Sequence, residues 1–161
     1  MLPAHIYFAI LASCCIYAAL KGGPPERFGA AIFALASILS FAVVSGPAAR
    51  FGSLEVGVFV VDVSMLLALL VLALRAERFW PLWAIALHLI ETAGHAVKAM
   101  DPLVIPEAYA FVLAFWSYPM LFLLVVGTWN HQERLRRNGV DRSWSSFSGR
   151  SGPPPPGGPI S

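Results

Sequence analysis

Charge is what this chain has least of. Acidic and basic residues fill 12% of its 161 positions while hydrophobic residues reach 58%, against roughly 25% charged in an ordinary soluble domain. Too few polar side chains remain to cover a water-soluble globule, so the composition selects a bilayer. The net charge of +2 and the dispersed basic residues exclude a nucleic-acid surface. Cysteine is scarce too. Cys14 and Cys15 are adjacent inside an apolar run, which provides neither a C-x-x-C metal spacing nor a disulfide framework. No Lys or Arg precedes Lys21, so the apolar start lacks the basic region of a secretory signal and reads as an uncleaved first membrane helix. Leu11-Ala12-Ser13-Cys14 has the outline of a lipobox, without the charged flank that processing requires. Walker loops, Rossmann glycine motifs and nucleophile triads are missing as well, and the chain reads as a non-enzyme sooner than as an enzyme.

What is present is a set of apolar runs of membrane length. At about 20 residues per span the sequence predicts five, over 4–20, 27–45, 55–74, 79–100 and 107–129. Gly22-Gly23-Pro24-Pro25 and Ser45-Gly46-Pro47 end the first two, because neither Gly nor Pro continues a helix readily. Arg75-Ala76-Glu77-Arg78 is too polar for hydrocarbon, and Asp101-Pro102 with Pro106-Glu107 brackets the last turn. The fold class expected is an all-α, five-helix integral membrane bundle over residues 1–130. Small residues at Gly29, Ala30, Ala34 and Ser37 suit close approach of the second helix to its neighbours. Pro119 falls inside the fifth span, where it should free the carbonyl of Phe115 and kink the helix.

The basic residues set the orientation. One side receives Lys21, Arg27, Arg75, Arg78 and the arginines at 134, 136, 137, 142 and 150; the other receives Arg50 and Lys98. This places the N-terminus in the periplasm and the C-terminus in the cytoplasm. Phe79, Trp80, Trp83 and Trp129 then sit at the cytoplasmic headgroup level, as amphipathic rings prefer. Residues 131–161 form a tail, basic at first and able to extend the last helix by a turn or two before Gly139, then rich in Ser, Gly and Pro. Such a composition cannot bury a core and should be disordered.

The candidate site lies inside the bundle. His88, Glu91, His95 and Lys98 follow one another at steps of three, four and three, which puts them on one helix face. Glu55 and Asp62 are seven apart on the preceding helix and also share a face. With the two helices antiparallel, Asp62 and Glu91 fall at similar depth, roughly 10–12 Å below the outer surface. His95 then lies a turn shallower and His88 a turn deeper. Glu55 and Lys98 are expected to pair at the outer rim. Asp62, His88, Glu91 and His95 are expected to line a polar pocket open to the periplasm, as binding or proton-relay candidates. A charge at mid-membrane costs about 2.5–3.5 kcal/mol, so protonation, a histidinium partner, a bound cation or a wet cavity must relieve it.

Asp62, Glu91 and His95 would make a mixed nitrogen and oxygen metal site. The order His88-x-x-Glu91 appears once, however, and is the reverse of the Glu-x-x-His pair of di-iron bundles. For haem, His5 is the evident partner of His95. No cofactor is confidently implied.

Lys21-Gly22-Gly23-Pro24-Pro25-Glu26-Arg27, Arg75-Ala76-Glu77-Arg78-Phe79-Trp80-Pro81-Leu82-Trp83, and Glu55-Val56-Gly57 with Asp62 beyond it resemble segments of uncharacterised small multi-pass membrane proteins of alphaproteobacteria, notably sphingomonads. The resemblance covers about residues 1–130 and implies a bacterial inner membrane. It supplies no activity. The leading expectation is an accessory or interaction subunit of a membrane assembly, with the bilayer and other membrane subunits, or copies of itself, as partners and no nucleic acid. A proton- or cation-coupled carrier working as an oligomer is the rival. A metal, haem or quinone redox protein is the third reading.

Overall fold

The computed structural model describes residues 4–45, 54–100, 106–141 and 143–144, with side chains at 5–43, 56–94, 115–141 and 143–144. Every regular element described is a helix: α1 (Ala4–Lys21), α2 (Pro24–Ser45), α3 (Leu54–Arg75), α4 (Trp80–Met100) and α5 (Pro106–Asn138). The all-α class expected from the sequence is the one found. Two of the helices, over Pro24–Val43 and Val56–Arg75, are long and apolar enough to cross a membrane. The finer expectation of five crossings is taken up below.

One boundary differs from expectation. Pro24 and Pro25 open α2 instead of standing in the break before it. Proline suits the first turn, where the missing N–H would have had no partner and φ is already helical. Gly22 and Gly23 alone make the connection. At the other end, α5 runs 33 residues, through Pro119 and nine residues past Trp129, the extension of a turn or two before Gly139 that the sequence allowed. Gly139 ends it with φ of +70°, a left-handed conformation that glycine adopts without the clash a Cβ would bring.

Consecutive helices pack side by side, α1 also packs on α5, and α2 touches α5 across the interior. The result is a closed ring in which α2 to α5 form a four-helix bundle and α1 lies over the α2–α5 seam. Trp80, the first residue of α4, locks that seam. A Cβ on Gly29 of α2 would stand 2.3 Å from its ring, and one on Gly127 of α5 would stand 2.5 Å from it. The indole thus fills a slot that two glycines leave open, with Phe33 edge-on at 6.5 Å between centroids. Trp80 was expected at the headgroups but is 6% exposed. The other three anchors, Phe79, Trp83 and Trp129, are exposed as expected.

Large apolar side chains lie on the surface as well as in the core, and several polar ones are buried. Ile16, Leu35, Phe41, Val60, Leu74 and Phe122 all face outward, while Glu26, Asp62, Arg78, His88, Thr128 and His131 are buried.

Candidate functional site

Polar side chains gather at two levels. The first lies halfway along the bundle, on the faces that the helical spacing of three and four had marked. His88 of α4 is 1% exposed. Its Nε2 lies 2.9 Å from the main-chain oxygen of Asp62 on α3, and its Nδ1 lies 3.2 Å from Oε2 of Glu91, one turn along α4. The buried carboxyl of Asp62 is within electrostatic range of the same ring. Thr92 caps the turn by donating its hydroxyl to the His88 carbonyl at 2.8 Å.

The row continues onto the remaining helices. Tyr7 of α1 shares a hydrogen bond of 3.0 Å with Ser37 of α2. The Tyr7 hydroxyl also meets Ser117 of α5 and lies within electrostatic range of Glu91. Tyr118 sets its ring edge-on to Tyr7 at 5.9 Å. All five helices therefore contribute a polar group at this level.

Among the sequence candidates, the structure brings Asp62, His88 and Glu91 together, with the histidine as the link. The expectation had Asp62 meeting Glu91 and the two histidines. The side chains of Glu55, His95 and Lys98 lie outside the described residues, so the rim pair, the metal set containing His95 and the His5–His95 haem pair are not placed. Among the described residues no group of three His, Cys, Asp or Glu side chains could hold a metal ion. Cys14 and Cys15 are free; the Cys15 thiol approaches the Ala30 carbonyl at 3.5 Å, as a small, weakly polar packing residue does.

The second level is the end of the bundle where α1 finishes and α4 begins, and sequence reasoning did not find it. Glu26, in the first turn of α2, is fully buried. Its Oε1 accepts from Arg78 Nε and from Trp80 Nε1, each at 3.2 Å. The other face of the Arg78 guanidinium donates to Oδ2 of Asp141 at 2.6 Å, and a third N–H reaches the Glu77 carbonyl at 3.0 Å. His131 Nδ1 meets the same Asp141 oxygen. Arg134 grips Asp141 through Nε at 2.9 Å and Nη2 at 3.4 Å.

The chain beyond Gly139 thus folds back under the bundle. There the Glu77 amide donates to the Ser143 carbonyl at 3.4 Å, and Trp144 sets its ring against Phe28 at 5.8 Å. Burial alone would raise the Asp141 carboxyl; hydrogen bonds from Arg134 and His131, with the charge of Arg78, outweigh it and hold the group below the ordinary carboxylate range. Arg78 was counted as a topogenic charge facing the cytoplasm, but it is a buried link among three elements.

The first level is a row of paired donors and acceptors with a single linking imidazole. The second is an ionic clamp that ties the α3–α4 turn to α2, α5 and the chain after it. Neither contains a nucleophile set beside a base and an oxyanion donor. No family model matches the chain, and neither a curated protein nor a solved structure matches it.

Proposed function

We propose that this chain is a five-span integral protein of a bacterial inner membrane, with its N-terminus in the periplasm and its C-terminus in the cytoplasm, and that it serves as an accessory subunit of a membrane assembly. One observation carries the reading: each of the five helices turns large apolar side chains outward, among them Ile16, Leu35, Val60, Leu89 and Phe122, while Asp62, His88 and Glu91 halfway along the bundle are turned inward. In water such a surface would aggregate; against acyl chains it is the stable arrangement. The described ionisable side chains in the middle of α4, His88 and Glu91, are turned inward, where protein takes the place of lipid.

The accessory role follows from how the polar groups are used. Both imidazole nitrogens of His88 are bonded within the bundle, and the clamp groups bond one another. Polar side chains so arranged join helices, and the lipid-facing wall is left to neighbouring subunits. Alkaline carbonate extraction of membranes and a C-terminal reporter test the placement. Full retention in the pellet and a cytoplasmic reporter are expected; release into the supernatant would end the reading. Co-purification in mild detergent tests the role, and a chain that elutes alone at the size of one copy would count against it.

A proton-coupled carrier is the second reading, favoured by the contact between an imidazole and a carboxyl at the centre of the bundle. Uptake into vesicles driven by a pH gradient, and abolished by Glu91→Gln without loss of expression, would select it over the first.

A further inference from the structure

We propose that His88 and Glu91 form a proton-binding site, holding one proton between the ring Nδ1 and the carboxyl Oε2. The argument starts from hydrogen-bond chemistry. The main-chain oxygen of Asp62, 2.9 Å from Nε2, can only accept, so Nε2 carries a hydrogen. A neutral imidazole with its hydrogen on Nε2 has a bare lone pair on Nδ1. That lone pair faces Glu91 Oε2 at 3.2 Å, and an ionised carboxylate also offers only lone pairs. Two acceptors at that distance repel each other unless a proton lies between them. The contact therefore defines a proton count: imidazolium with carboxylate, or neutral imidazole with carboxylic acid. Both forms carry the same single extra proton and no net charge.

Burial makes that count matter. His88 is 1% exposed, and Glu91 stands at 13% side-chain exposure. Without the proton, a carboxylate would face a lone pair in a medium that solvates neither. The groups turned toward the pair from adjoining helices reinforce the demand. Among the described residues, Asp62 on α3 is the nearby carboxyl, and α1, α2 and α5 bring the neutral phenols of Tyr7 and Tyr118 with hydroxyls from Ser37 and Ser117. None of these is a cation. In the binding step a hydronium O–H breaks, its proton joins the lone pair on Nδ1 or the carboxylate oxygen, and one water leaves. The pair passes from one negative charge to none. Tyr7, bonded to Ser37 and in range of Glu91, is the hydroxyl placed to relay that proton.

This inference rests on the bilayer placement proposed above, and the test separates the two. The full chain, with nitrogen-15 histidine, is reconstituted in phosphatidylcholine and phosphatidylglycerol vesicles and studied at neutral pH by NMR and infrared spectroscopy, with His88→Phe to assign the ring. The unsubstituted protein is expected to show a hydrogen on His88 Nε2 together with either a protonated Nδ1 or a carboxylic-acid band belonging to Glu91. In Glu91→Gln the amide N–H can donate to Nδ1, so the hydrogen bond survives with a neutral ring. That variant is expected to keep its fold and to bind one proton fewer per chain. A bare Nδ1 beside an ionised Glu91 in the unsubstituted protein overturns the proposal, and so does an unchanged proton count in Glu91→Gln. Neither outcome touches the carbonate extraction that decides the membrane placement.

Discussion

The two polar levels of this bundle solve one problem in opposite ways. At the clamp, at the end of the bundle, Glu26, Arg78, Asp141 and Arg134 meet as ions at 2.6 to 3.2 Å. Halfway along, the row uses one imidazole, one carboxyl and a few hydroxyls, with Asp62 contributing its main-chain oxygen. Ions suffice where every charge has a counter-charge; inside the bundle, a pair that closes to zero charge needs none. Buried charges left unmatched are more costly than buried dipoles, so the two levels should respond very differently to substitution.

The largest effect is expected from Arg78→Met. It strands Glu26 and deprives Asp141 of its closest arginine, and breaking a buried pair in this way costs about 3–5 kcal/mol. Thermal unfolding of the full chain in mild detergent should show it as the greatest loss in the series. Next comes Gly29→Ala. The added Cβ would sit 2.3 Å from the Trp80 ring, and overpacking of that kind costs about 1–3 kcal/mol. The same unfolding experiment should place it below Arg78→Met.

Acidification acts on the clamp more gently. The Asp141 carboxyl is held below its ordinary value in the folded chain, so its contribution is fully present above about pH 4 and is lost as pH falls through the lowered folded value. Asp141→Asn should remove that acid limb from a plot of stability against pH. The effect is smaller than the loss of Arg78 because burial opposes the arginines at this carboxyl. Glu91→Gln closes the series. It replaces one hydrogen bond by another, and with such bonds worth about 0.6 kcal/mol in membranes the midpoint should hardly move. A large loss there would erase the contrast between the levels.

The helices were legible because their breaks are chemical: paired glycines before Pro24, and charges from Arg75 to Arg78. The central row was legible because steps of three and four survive in any helix, whatever it packs against. The clamp was not. Its bonds join residues 52 and 63 apart in the chain, and no local period links them. Charges near helix ends also carry a ready alternative meaning, as markers of orientation, which absorbed Arg78. A usable sign did exist: Glu26 is the one acidic residue before Glu55, and it falls at an end otherwise rich in arginine. Trp80 was misplaced for a related reason. Its indole was assigned to headgroups as indoles often are, when glycines at 29 and 127, almost a hundred residues apart, leave it a berth inside.

The circular packing order has a consequence for any assembly this protein joins. Each helix is flanked by at least two others, and α1 covers what would otherwise be an open gap. An incoming subunit finds no vacancy in the circle to slot into. In the bilayer proposed above, it would lean on the outer wall through exposed aliphatic side chains and so compete with lipid at every contact.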